Sequence, residues 1–182
     1  NFAVEGVTRM SKLITSLLQY SRTGRKETEV RAVDIQKVIE HKLLDLEQLI
    51  KDKNAIITIE EMTKEVICEP VQLGLIFYNL IVNSLKFNKD EQPTITIGCK
   101  ELEDHWCFQV TDNGIGIEDI YKDKIFELFK RLNRRDEYDG TGIGLALCKK
   151  IVYRHKGKIW FDSSLGDGTT FYFTISKELH RN

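Results

Sequence analysis

The segment PVQLGLIFYNLIVNSLKF, residues 70–87, constrains the fold more than any other part of the chain. Leu75, Ile76, Phe77, Leu80, Ile81, Val82 and Leu85 make a helix that is apolar almost all the way round, and such a helix belongs inside a protein. Yet Asn79 and Asn83 stand four apart on one face, with Lys86 projecting from nearly the same side. An amide in that setting costs about 1–3 kcal/mol if its polar atoms go without partners. Either the two amides cap neighbouring loops, or something polar is held beside them. A hard cation with phosphate oxygens for company suits amide carbonyls next to a lysine.

The rest of the chain supplies what could enclose this helix. Residues 1–22 read as a helix whose seam steps through Ala3, Val7, Met10, Ile14 and Leu17, with Ser21 on the next step. Phe2, Leu13 and Leu18 widen the stripe, so the helix packs either on its own domain or within a helical bundle. Residues 23–33 are polar, contain Gly24 and read as a linker. Asp34 is a plausible N-cap for a helix over 34–52. Short strands are expected near 55–60 and 65–68. A hairpin is expected over 94–100 and 106–112, a helix over 144–154, and final strands over 158–163 and 169–175. Helices and strands mix without strict βαβ alternation, which predicts an α+β sandwich: one sheet with helices on one face.

Composition narrows the class. Hydrophobic residues make up 41% and charged residues 30%, the balance of a globular protein. The net charge of -1 gives no bulk electrostatic case for nucleic acid or an anionic membrane. No apolar run approaches the roughly 20 residues that span a bilayer. Cys68, Cys99, Cys107 and Cys148 form no CxxC pair and have no histidine at zinc-ligand spacing. Buried reduced thiols and a cytoplasmic setting are expected, the alternative being a Cys99–Cys107 disulfide across the hairpin. The chain opens in mid-helix without Met, as a piece of something longer would.

Three further stretches carry chemistry. DNGIGI, 112–117, is an ordinary turn former, or else Asp112 accepts hydrogen bonds from a ligand amine while Gly114 and Gly116 admit close backbone approach. GTGIGLAL, 140–147, alternates three glycines before a helix, exposing successive N–H groups where the helix dipole is positive. A plain helix cap would not need all three. The stretch is neither a Rossmann fingerprint nor a Walker loop, since the third glycine falls too early and no GxxxxGK[ST] occurs. Between them, IFELFKRLNRRDEYDG puts Phe126 and Phe129 on one face and Arg131, Arg134 and Arg135 in a charged loop. That loop is either solvated surface or a lid whose arginines meet phosphate.

The order of these boxes resembles the histidine kinase catalytic domain of the GHKL superfamily, with its Bergerat ATP-binding fold. The likeness covers about residues 30 to 176. It implies a two-layer α/β sandwich with a mixed sheet, holding ATP and Mg²⁺. Asn83 would then bind Mg²⁺ with Asn79 alongside, Lys86 would meet phosphate, and Phe87 would border the nucleotide. Asp112 would accept the adenine amine, with Gly114 and Gly116 lining that pocket beside Phe126 and Phe129, and Arg131 would reach the terminal phosphate. Gly140, Thr141, Gly142, Gly144 and Leu145 would form the phosphate turn, and Thr169 would back the adenine site through water. MSKLITSLLQYSR resembles the second helix of the family's dimerisation domain, which implies a bundle helix over 1–24, a linker over 25–33 and an ATP-binding domain over 34–178. The stretch EYDGTGIGLALCKKIVYRHKGKIWFDSS is most similar to phytochrome-type and PAS-linked kinases. Gly74 departs from the family pattern, costs about 1 kcal/mol in mid-helix and implies close packing.

Gyrase and MutL ATPases share the fold but carry a glutamate where this chain has Asn79. An amide cannot act as a general base, so phosphoryl transfer to another nucleophile is expected rather than hydrolysis. The family's phosphoacceptor is a histidine followed by an acidic residue. His41, His105, His155 and His180 are followed by Lys42, Trp106, Lys156 and Arg181, so none fits. His41 and His155 are expected on the surfaces of amphipathic helices. The resemblance implies a response-regulator receiver domain as partner and a homodimer through the bundle helices, with no direct membrane contact.

Overall fold

The computed structural model describes residues 2–23, 29–62, 65–89, 92–122, 124–130 and 140–179. In chain order the elements are α1 (Phe2–Arg22), β1 (Arg31–Val33), α2 (Ile35–Asp45), α3 (Glu47–Asp52), β2 (Ile56–Ile59), β3 (Val66–Cys68), α4 (Pro70–Lys86), β4 (Thr94–Glu101), β5 (His105–Asp112), a 3₁₀ turn (Asp119–Tyr121), α5 (Gly144–Arg154), β6 (Ile159–Ser164) and β7 (Gly168–Ser176). Five strands form one sheet in the order β2-β4-β5-β7-β6. Only β2 and β4 run parallel; the other pairs are antiparallel. The sheet is mixed, as expected.

Alternation along the strands sends one set of side chains inward. Ile95, Ile97, Phe108, Val110, Phe161, Phe171 and Phe173 are buried beneath the helices. Phe77 of α4 meets Phe108 edge-on at 5.8 Å and Phe173 at 5.4 Å, while Phe108 and Phe173 stack at 5.0 Å. Contacts of this kind favour edge and offset geometries and fix α4 across the sheet. The helix begins where Pro70 occupies its first turn and the Glu69 carboxylate accepts from the N–H groups of Val71 and Gln72, at 2.9 and 2.7 Å. α4 is flanked by α2 and α5, so the apolar helix is enclosed by two helices and a sheet. Gly74 lies against α2, where an added Cβ would stand 3.2 Å from Lys42 Cε and 3.4 Å from Val38 Cγ1.

The structure departs from expectation in three places, and on the cysteines it agrees with the expected free thiols over the alternative disulfide. Residues 31–33, expected within a linker, form β1 and pair antiparallel with β3, Val33 opposite Val66. The helix expected over 34–52 breaks at Leu46, whose N–H turns to the Leu43 carbonyl at 3.1 Å as the side chain enters the core, 5% exposed. Asp34 caps the first half as predicted, accepting from the Lys37 N–H. His155, expected on the surface, is 3% exposed, because its ring bridges two helices. Cys99 pairs across the hairpin with Phe108, and Cys107 with Lys100, so the two thiols leave opposite faces of the sheet and no disulfide can join them. Burial pushes the Cys68, Cys99 and Cys148 thiols up to about 12.

α1 is helical, but its seam is open: Val7, Met10, Ile14 and Leu17 are 45–63% exposed. Its C-terminal end is attached to the sandwich. Lys150 of α5 donates to the Tyr20 carbonyl at 2.6 Å and lies 4.2 Å from the centre of the Tyr20 ring. Among the described residues no helix is long and apolar enough to cross a membrane.

Candidate active site

A cavity of about 310 Å³ opens between α4, the end of β5 and the turn leading into α5. Asn79, Asn83, Lys86 and Phe87 reach it from α4, Asp112 from β5, Gly116 from the following turn, and Gly140, Thr141, Gly142, Gly144 and Leu145 from the third box. Segments far apart in sequence therefore converge on one hollow.

At one end stands the Asp112 carboxylate. Its Oδ1 accepts from the backbone N–H groups of Gly114 at 2.9 Å and Thr169 at 3.1 Å, and its Oδ2 accepts from the Ser84 hydroxyl at 2.7 Å. Burial pushes the Asp112 carboxyl above its ordinary range, while these three donors pull the other way. A carboxylate has about four acceptor positions, so one remains for a ligand. Gly116 has φ +74, and a Cβ there would come within 2.1 Å of the Ser164 carbonyl, so only glycine closes the turn. Thr169 is 6% exposed; its hydroxyl is shared with Ser163 at 2.8 Å, and it reaches Asp112 directly through its backbone.

At the other end is the N-terminus of α5. α2 and α4 each begin with an acidic side-chain cap, but α5, with Ile143 at its N-cap position, has none. Its first N–H groups open towards the cavity with the positive end of the helix dipole behind them. Asn79 Nδ2 donates to the Leu75 carbonyl of its own helix at 2.8 Å, which turns Oδ1 towards α5. A Cβ on Gly144 would lie 2.6 Å from that oxygen, so α5 starts with glycine because Asn79 is there. Gly140 passes beside the Lys86 ammonium, which also sits 4.4 Å from the centre of the Phe87 ring. Lys130 lines the same end and was not anticipated.

Phe126 and Phe129 do not line the cavity. Phe126 packs on Phe161 and Phe171 at 6.4 and 6.5 Å. Phe129 is 57% exposed at φ +63, and its N–H donates to the Gly142 carbonyl at 3.0 Å, steadying the glycine turn from outside. Arg131 lies outside the described residues. Ser84 escaped the sequence reading because one serine in an apolar helix carries no spacing signal.

An amine acceptor at one end and an uncapped helix N-terminus with lysines at the other are chemistry that suits a nucleotide. The fold and site thus define a nucleotide-binding α+β sandwich. Residues 68–179 match the family described as histidine kinase-, DNA gyrase B-, and HSP90-like ATPase, and the chain belongs to that family. Cyanobacterial phytochrome A of Nostoc sp. is 47% identical over 174 residues, which cover 96% of this chain and 23% of that protein. Sensor protein kinase WalK of Staphylococcus epidermidis is 31% identical over 180 residues, covering 96% of this chain and 30% of that protein. This chain thus spans under a third of the length of these relatives. The catalytic domain of histidine kinase ThkA aligns with TM-score 0.71 at 25% identity, over 82% of this chain and 97% of that one. Full-length ShkA in complex with AMPPNP aligns with TM-score 0.77 at 23% identity over 90% of this chain and 35% of that one, a likeness of fold.

Proposed function

We propose that this chain is the ATP-binding catalytic unit of a sensor histidine kinase, passing the γ-phosphate of Mg-ATP to a histidine on a dimerisation helix for relay to a response-regulator aspartate. One observation carries the reading: a single cavity holds an amine acceptor, Asp112, opposite an uncapped helix N-terminus beside Lys86. In that role Asp112 selects a base with an exocyclic amine. The α5 N–H groups, Gly140–Gly144 and Lys86 hold the phosphates, and Arg131 meets the terminal one. Asn83, with Asn79 alongside, would hold Mg²⁺ through amide oxygens, the remaining ligands being water and phosphate as is usual for this ion. Such an ion would supply charge neutralisation at the phosphates.

Asn79 favours transfer over hydrolysis. Its nitrogen is committed to the Leu75 carbonyl, and an amide has no basic lone pair with which to activate water. The neighbouring groups position and stabilise charge and leave proton abstraction to the acceptor's own surroundings. The exposed seam of α1 supports a homodimer through bundle helices, and the free thiols fit a reducing, cytoplasmic setting. ThkA, a fold neighbour, is known in complex with the response regulator protein TrrA, which supports a receiver-domain partner here.

The test is phosphotransfer with γ-labelled ATP. The chain alone is expected to bind ATP without labelling itself, and to label a dimerisation hairpin carrying a His-Asp or His-Glu pair. Release of free phosphate without label on that hairpin would mean a hydrolase instead. Label on this chain, lost on His41→Ala, would refute the view that the acceptor lies elsewhere.

A further inference from the structure

Ser84 is 2% exposed and does not line the cavity, yet its hydroxyl is the sole side-chain donor to Asp112 among the described residues. One residue beyond Asn83, it sits about 100° further round α4, so the helix presents amides to the phosphate end and a hydroxyl to the base end. Serine in a helix commonly turns its hydroxyl back to the carbonyl one turn earlier. Here it reaches 2.7 Å across to a residue 28 positions later instead.

We propose that Ser84 is a positioning residue that sets the selectivity of the site for nucleotides whose base carries an exocyclic amine. The two backbone donors hold Oδ1, and the Ser84 hydroxyl is the donor that holds Oδ2. By filling one acceptor position of Oδ2, the Ser84 hydroxyl leaves the other aimed at the ligand. As a donor it also favours the ionised carboxylate, which only accepts, over the acid, whose own proton would confront the amine. Its pull on the Asp112 carboxyl opposes the push from burial. The inference rests on Asp112 receiving the base amine and adds the residue that acts through it.

The experiment is titration calorimetry of this chain with ATP and with purine riboside triphosphate, which lacks the exocyclic amine, for wild type, Ser84→Ala and Ser84→Thr across pH. Ser84→Ala is expected to weaken ATP about tenfold, the size of one charge-assisted hydrogen bond, and to change purine riboside triphosphate by less than about twofold. The loss should deepen as pH falls, because Asp112 protonates earlier without its donor. Ser84→Thr keeps the hydroxyl and should restore the wild-type ratio of the two affinities, and a ratio cancels any shared packing penalty. Equal weakening of both nucleotides, or no change in the ratio, would reduce Ser84 to a structural residue. Wild-type protein that binds the two nucleotides equally would overturn the assignment of Asp112 itself, and the role of Ser84 with it.

Discussion

Asp112→Asn separates the chemistry of one residue from its structural duties. Asparagine keeps Oδ1 for the Gly114 and Thr169 N–H groups and offers Ser84 an amide donor in place of an acceptor, so the fold should survive. A donor then faces the base amine. Calorimetry should show ATP binding weakened by at least about a hundredfold, with the melting temperature changed by only a few degrees. Gly74→Ala tests a residue that stands out as a departure from the family pattern. Alanine recovers about 1 kcal/mol of helix propensity. The atom it meets at 3.2 Å is Lys42 Cε, on a flexible stem that can move by a few tenths of an ångström. A denaturant melt should show stabilisation of about 0.5–1 kcal/mol. At this scale the sequence was legible wherever a residue type is expensive in its setting, as with amides in an apolar helix or three glycines in one turn. Ser84 was not legible, because its partner is 28 positions away and a lone hydroxyl advertises nothing.

Between elements, His155 does what neither neighbouring helix could alone. Its Nδ1 donates to the Ile151 carbonyl at 2.9 Å within the last turn of α5, and its Nε2 accepts from the Glu69 N–H at 3.3 Å, just before α4. Both partners have one possible role, so the ring must be neutral with its proton on Nδ1. Burial holds His155 below the ordinary 6.5, reinforced by Arg154 and opposed by the Ile151 bond and Glu69. As pH falls the unfolded chain therefore takes up the proton first. Stability is complete above about 6.5 and declines through and below it, towards the folded-state value. Melting temperature should drop on acidification from pH 7 to about 5, and His155→Gln should flatten that slope. An unchanged slope in the variant would show that other groups dominate. The pattern around His155 is amphipathic and so places it on a surface, whereas its ring is held by the Glu69 N–H, 86 positions away in the chain and just before α4. β1 escaped notice for the same reason: three residues have no period, and their strand character comes from β3. Phe126 and Phe129 show the converse limit, since spacing put them on one face without saying which hollow that face would meet.

The whole molecule joins an enclosed sandwich to an open helix. α4 buries most of its apolar surface within the chain, but α1 does not: Val7, Met10, Ile14 and Leu17 remain in solvent along one stripe. An exposed row of this kind, at heptad-like spacing, is a surface for another helix. Lys150 holds the end of α1 to the sandwich by donating to the Tyr20 carbonyl, and neither residue lines the cavity that Asp112 lines. Self-association and nucleotide binding should therefore separate. Sedimentation of the wild-type chain is expected to show association that grows with concentration. Ile14→Glu, which sets a charge in the middle of the seam, should abolish it while ATP affinity stays within about twofold. Lys150→Ala keeps the seam intact and should preserve association, but it releases α1 from α5. If Ile14→Glu weakened ATP binding as much as association, α1 would be part of the nucleotide site, and the division of labour between helix and sandwich would be wrong.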